Sequence, residues 1–178
     1  MSDAPSPAAP AARELLLVAL DFSPESDRAF ALALRFAVAL DADLLALHVV
    51  HGPAADPGFY TRDAEGRRDR RGGRTLVMTG GDLLDQCIAR ARDAHPTPEV
   101  FARVATRLVA GTPGPRIVEV ALEAGASHIF MGSRGRAGWK GILLGSTAQR
   151  VIQLSPLPIT LVKLGADAPA PAPEADAP

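Results

Sequence analysis

The chain has 178 residues, with 19 Lys plus Arg against 20 Asp plus Glu and a formal net charge of −1; that length holds one domain with tails, and the near-neutral balance lacks the basic excess of a dedicated nucleic-acid binder. An apolar share of 47% beside 22% charged residues suits a packed globular core and excludes wholesale disorder. The lone cysteine, Cys87, excludes an internal disulfide and a paired-thiol redox or zinc site, and fits a reducing cytoplasm.

Residues 1–12 contain eight Ala or Pro and residues 165–178 contain ten, which predicts disordered, unpacked tails around one domain over 13–164. No export signal is apparent in the first residues, and the apolar run Leu15–Leu20 stops at Asp21, far short of a membrane span. That run is apolar at every position, as expected of a central strand covered on both faces. Ser23-Pro24-Glu25 then supplies a cap, a first-turn proline and an acid for the positive end of the dipole, predicting a helix from Pro24 to Leu40. Leu44–Val50 reads as a second buried strand, broken by His51-Gly52-Pro53.

Residues 52–80 show no usable period and are expected to form a long loop, with Arg62, Arg67, Arg68, Arg70, Arg71 and Arg74 set against Asp63, Glu65 and Asp69 within 62–74. A solvated face is the default reading for such a charge run. Leu83, Leu84, Cys87, Ile88 and Ala91 recur at helical spacing up to His95-Pro96. Phe101 to Ala110 alternates and reads as an edge strand with one wetter face. Gly111-Thr112-Pro113 starts a further helix that should turn Ile117, Val118, Ala121 and Leu122 inward and stop at Gly125. A short strand Ile129–Met131, a glycine-rich segment, a helix from Ser146 to Leu154 and a strand from Ile159 to Lys163 complete a strand-helix alternation, the pattern of a parallel sheet.

The chemistry lies in the glycine-rich segment, Gly132-Ser-Arg134-Gly135-Arg136-Ala-Gly138-Trp139-Lys140-Gly141-Ile-Leu-Leu-Gly145-Ser146-Thr147. Between a strand and a helix, small residues let main-chain N–H groups approach an anion, and the helix start adds unpaired donors and a positive dipole end. Arg134, Arg136 and Lys140 bring charge, and Ser146 and Thr147 bring hydroxyls. Neither the P-loop spacing nor a dinucleotide fingerprint after the first strand is present.

The spacing that remains is Gly, two residues, Gly, nine residues, then Gly-Ser, and it resembles the ATP-binding motif of the universal stress protein family. The resemblance extends over residues 14–163. Val18-Ala-Leu-Asp21-Phe-Ser23 is similar to the family's first strand, Leu47-His48-Val49-Val50 to the end of its second, Gly111-Thr-Pro113 with Ile117 to a family turn, and Ser155-Pro-Leu-Pro158-Ile-Thr-Leu-Val162 to its close. It implies a single doubly wound five-stranded parallel sheet of order 3-2-1-4-5 with helices on both faces, an adenine nucleotide alpha hydrolase-like α/β fold. Strand order then reverses between strands 1 and 4, where ligands of open α/β sheets bind.

Matched position by position, the resemblance implies that Ala19, Leu20, Asp21 and Val49 line the adenine and ribose side. It likewise implies that Met131, Gly132, Arg134, Gly135, Gly145, Ser146 and Thr147 hold ribose and phosphates. The implied ligand is ATP, alone or with magnesium, and the implied activity is nucleotide-dependent binding in stress response, with at most slow ATP hydrolysis. A homodimer through Ile159–Val162 is also implied, and a nucleotide-free dimerisation module is the alternative. The chain departs from the family pattern at Ser127, where Asp is common, and in its arginine-dense segment at 62–74.

Other candidates read as structural. His48 and His51, three apart on a strand, point to opposite faces and do not make a metal pair. Cys87 falls on an apolar helix stripe and is expected to be a buried small hydrophobe. His95 and His128 read as surface or strand-end residues. A phosphoacceptor domain would need an acid after the third strand, where Ala110-Gly111 stands. A PP-loop enzyme would need a glycine- and serine-rich loop after the first strand, which Asp21-Phe-Ser-Pro24 does not supply.

Overall fold

The all-apolar run Leu15–Leu20 forms β1 at the centre of a five-stranded sheet in a computed structural model that describes residues 13–51, 74–94, 97–135 and 144–164. The Ala/Pro-rich stretches 1–12 and 165–178, and the arginines from Arg62 to Arg71, lie outside the described residues. In chain order come α1 (Pro24–Ala39), β2 (Asp43–Val50), α2 (Arg74–Ala94), β3 (Val104–Ala110), α3 (Pro113–Glu123), β4 (His128–Gly132), α4 (Ser146–Leu154) and β5 (Ile159–Val162). All strand pairs are parallel, and the order is β3-β2-β1-β4-β5, as the motif resemblance implies.

Side chains alternate across each strand, and the core divides accordingly. Leu16, Val18 and Leu20 of β1 pack with Phe30 and Leu34 of α1 and Leu84, Cys87 and Ile88 of α2. Leu17 and Ala19 pack on the opposite face with Ile117, Val118 and Ala121 of α3 and Ala148 and Val151 of α4. Both faces are covered, which is why β1, β2 and β4 read as continuous apolar runs. The start of α1 is fixed as the sequence predicts: Ser23 accepts a hydrogen bond on Oγ from the Ser26 N–H at 3.2 Å, with Pro24 in the first turn.

Three expectations need correction. First, α2 begins at Arg74, so residues 74–80 are helical rather than part of a loop. A Cβ on Gly80 would lie 3.2 Å from Val50 Cγ2 and 3.4 Å from Leu108 Cδ1. The glycine lets α2 lie close on β2 and β3 and at the same time hides the helical period. Second, the third strand starts at Val104, because Pro98–Arg103 forms a short 3-10 helix with proline in its first turn. Phe101 in that helix packs edge-to-face on Phe30, with ring centroids 6.4 Å apart. Third, Leu122 is 50% exposed rather than inward; Val120 occupies the buried side of α3 instead.

β3 and β5 are the sheet edges. None of the residues in β3 or β5 is fully buried, the burial expected of strands with one neighbour.

Candidate functional site

The carboxyl ends of β1 and β4 lie side by side, Ala19 opposite Met131, at the point where strand order reverses. Here the chain leaves β1 through a strained turn: Phe22 takes φ +63°, a backbone region that bulky residues rarely adopt. Two contacts brace it. The Phe22 ring lies on the His48 imidazole, with centroids 4.4 Å apart, and Asp21 Oδ1 accepts from the Ser23 N–H at 3.1 Å and the Ser23 hydroxyl at 2.6 Å. Asp21 is held by one oxygen and keeps Oδ2 without a hydrogen bond among the described residues.

The glycines beyond β4 close the other side. A Cβ on Gly135 would lie 2.9 Å from Asp21 Oδ2, so residue 135 lies close against the Asp21 carboxylate at the end of β1. A Cβ on Gly145 would lie 3.3 Å from Arg134 Cα and 3.5 Å from the Gly135 nitrogen, and the Gly145 N–H donates to the Ser133 carbonyl at 2.8 Å. Gly132 packs against α1, where a Cβ would stand 3.0 Å from Glu25 Cβ and 3.2 Å from the Ser26 nitrogen. Gly145 is also the N-terminal cap of α4, with extended backbone and no side chain bonded to the first-turn N–H groups. Ser146 is exposed and Thr147 half-buried at that helix start.

The structure distributes the implied site residues unevenly. Asp21, Gly132, Gly135 and Gly145 come together, with Ser146 and Thr147 next in chain to Gly145. Ala19, Val49 and Met131 share the sheet face that packs on α3 and α4. Leu20 belongs to the opposite face, packed with α1 and α2, and its carbonyl is engaged by His48 Nδ1 at 2.7 Å. Its side chain therefore lines the core against α1 and α2, on the face opposite Ala19, Val49 and Met131. Arg136, Trp139 and Lys140 lie outside the described residues.

Arg134 differs most from its implied role of holding phosphate. Its Nε and Nη2 reach Glu25 Oε1 at 2.9 and 2.8 Å, and its own N–H donates to Glu25 Oε2 at 2.6 Å. Ser133 Oγ adds a fourth bond to Oε2 at 3.0 Å. Both the charge and the amide of Arg134 are thus spent on Glu25. The Ser133 N–H is likewise spent on the Val162 carbonyl at 2.8 Å. Among the described residues, the donors left for an anion are the Gly135 N–H and the first turn of α4.

Glu25 is the residue that sequence reasoning missed. It reads there as a favourable acid in a helix first turn, and the partner that gives it meaning is 109 positions away. At 3% exposure its charge needs compensation. Burial pushes its carboxyl up, but the Arg134 amide, the Arg134 guanidinium and the Ser133 hydroxyl outweigh that and hold it below its ordinary value. A lowered carboxyl stabilises the fold above its unfolded titration range, and that contribution is lost as pH falls through the folded value.

His48 is shifted for a different reason. Burial lowers its pKa, while the Leu20 carbonyl and the Asp21 charge raise it without reversing the shift. With a folded pKa below the unfolded value of about 6.5, stability is full above that pH and falls as the unfolded chain takes up protons below it. His128, also lowered by burial, acts in the same direction. The melting temperature is expected to decline between pH 7.5 and 5.5, and melts of His48→Gln across that range should show a shallower decline.

A family model described as the universal stress protein family matches residues 13–163. The chain belongs to the universal stress protein family. A universal stress protein of Methanocaldococcus jannaschii is 31% identical over 148 residues, covering 83% of this chain and 81% of that protein. A Mycolicibacterium smegmatis relative is 29% identical over 152 residues, and the match covers only 45% of its length. Among solved structures, an Archaeoglobus fulgidus universal stress protein in complex with dAMP matches with a TM-score of 0.59 and 20% identity, covering 84% of this chain and 98% of that one. A universal stress protein in complex with cAMP matches at 0.57 and 24%, over 85% and 98%. These likenesses establish that this universal stress protein shares their fold.

Proposed function

We propose that this universal stress protein binds an adenine nucleotide, ATP, where β1 and β4 end, and acts as a nucleotide-dependent regulatory binding protein in stress response. The observation that carries the reading is the convergence of Gly132, Gly135 and Gly145, where side chains would meet Asp21, α1 and the chain at Arg134. Glycines packed this closely, beside an uncapped helix start, leave main-chain N–H groups unshielded by side chains, which suits a phosphate tail. Two proteins of the same fold were solved with dAMP and cAMP, which supports an adenine ligand.

The donor set also fits magnesium in a limited way. Among the described residues no group of three or more His, Cys, Asp and Glu could hold a metal, so Asp21 Oδ2 would be the protein ligand and phosphate and water oxygens the rest, the usual arrangement for this ion. Magnesium bound there would offset phosphate charge. Of the two carboxylates that meet the glycine segment, Glu25 is committed to Arg134, which leaves Asp21 alone to orient an attacking water. Binding with at most slow hydrolysis follows from that scarcity.

The deciding experiment is extraction of nucleotide from freshly purified full-length protein, read by mass spectrometry. An adenine nucleotide near one per chain is expected. Its absence, together with no rise in melting temperature on adding Mg-ATP, would overturn the proposal. The edge strand β5 supports a second reading, a dimerisation module without nucleotide, since Ile159–Val162 pairs only with β4 and leaves an open edge. Light scattering on the same sample separates a dimer carrying nucleotide, which the proposal expects, from an empty dimer. No helix among the described residues is long and apolar enough to cross a membrane, and a buried free thiol at Cys87 supports a cytoplasmic setting.

A further inference from the structure

We infer that Glu25 is the positioning residue of the nucleotide cradle, setting the main chain at 133–135 through its four hydrogen bonds to Ser133 and Arg134. The inference rests on the nucleotide-binding reading and adds to it a residue outside the glycine motif.

Geometry carries the argument. Glu25 stands in the first turn of α1, and its Cβ walls in Gly132, where an added Cβ would stand 3.0 Å from it. Its Oε2 takes the Arg134 N–H at 2.6 Å and the Ser133 hydroxyl at 3.0 Å, which fixes the Ser133–Arg134 peptide, one peptide ahead of the Gly135 N–H. Its Oε1 takes the guanidinium on two nitrogens, a fork that resists rotation. Gly145, and with it the start of α4, is then referenced to the same short segment: its N–H binds the Ser133 carbonyl, and it abuts Arg134 Cα and the Gly135 nitrogen. Among the described residues, the donors left to meet an anion, the Gly135 N–H and the first turn of α4, therefore stand where Glu25 places the intervening chain. Preorganised donors bind an anion without first being ordered.

Arg134 acts inside this device. Its charge neutralises a carboxylate that would otherwise sit, buried, beside a polyphosphate.

The test compares ATP with adenosine, which lacks the phosphates, in titrations of wild type and E25Q. A glutamine keeps the size but offers one acceptor oxygen, so its NH2 must face either the guanidinium or the Arg134 N–H, and one of the two contacts is lost. The expected result is an ATP affinity about tenfold lower in E25Q with adenosine affinity unchanged, so that the ratio of the two falls by the same factor. Hydrogen exchange on nucleotide-free protein should show the Arg134 amide exchanging faster in E25Q. In the double variant E25Q/R134Q two neutral amides face each other, and ATP affinity should fall no further than in E25Q; should E25Q alone not fold, this pair carries the same comparison.

Equal loss of ATP and adenosine affinity would overturn the role and leave Glu25 as a fold residue. A rise in ATP affinity in E25Q would overturn it in the other direction, with the released Arg134 side chain as the phosphate ligand. A wild type that binds neither compound overturns the proposed function and this role together, whereas a binding wild type with an unchanged ratio in E25Q overturns the role alone.

Discussion

In Gly145→Asp the melting temperature without nucleotide should stay close to wild type while the rise given by Mg-ATP disappears. The two halves of this expectation have separate causes. Residue 145 caps α4 with φ −74° and ψ 155°, a conformation open to any residue, and Asp is among the best helix caps and favours the positive dipole end. Capping offsets the displacement of a few tenths of an ångström that a Cβ 3.3 Å from Arg134 Cα demands. The new carboxylate, however, takes the first-turn N–H groups of α4 for itself and sets negative charge where phosphate must lie. Ligand at about 100 times its dissociation constant stabilises a fold by roughly 2.7 kcal/mol. In a domain of this size that amounts to about 5–10 °C, and differential scanning fluorimetry reads it directly. A nucleotide shift that survives in Gly145→Asp would remove the helix start from the binding site.

Phe130→Ala should give the opposite pattern, a large loss of stability with the nucleotide shift retained. Phe130 is fully buried in β4, with the Phe36 ring edge-on at 5.2 Å and the His128 ring at 4.6 Å. It faces α1 and α2, whereas its neighbour Met131 faces α3 and α4. Removing such a ring costs about 3–5 kcal/mol in transfer and cavity energy, a fall on the order of 6–20 °C at this chain length. Since the lost ring points away from the nucleotide side, titrated ATP should raise the lowered melting temperature by about the wild-type increment. Together the two variants separate site from scaffold, and chemical denaturation of both checks the stabilities independently.

Much of this arrangement is legible in the residues. β1 is readable because a strand buried on both faces must be apolar throughout, and α1 because Ser23 and Pro24 mark its start. The order β3-β2-β1-β4-β5 is not a consequence of alternation alone; it came with the glycine spacing and the family resemblance. The start of α2 is obscured because Gly80 and Gly81 break the apolar period, although Gly80 is there to let the helix approach Val50 and Leu108. Phe101 imitates a strand residue because it leads directly into the alternating run of β3, whereas in the 3-10 helix it is buried beside its neighbour Val100.

In the site the glycines declare themselves and the acid does not. A glycine at a close approach leaves a spacing that can be matched, but a carboxylate acquires its role from whichever distant group folding delivers. Nothing within reach of Glu25 along the chain signals Arg134. Arg134 in turn sits amid the glycines of the motif, and a basic residue there invites assignment to a ligand. Only the three-dimensional pairing shows that its charge is already satisfied. Leu20 fails for a simpler reason, since adjacent strand residues face opposite sides and a motif match does not say which side holds the ligand.

The setting of Cys87 gives the molecule a built-in gauge. Its sulfur lies at the seam between α1 and α2, 3.5 Å from Asp27 Oδ1, and burial with that neighbouring acid pushes the thiol up to about 12. Protonated and walled in, it offers peroxide or an alkylating reagent no thiolate to attack. Modification then waits for the two helices to part, and because the chain has one cysteine, the labelling rate times that separation without any engineered probe.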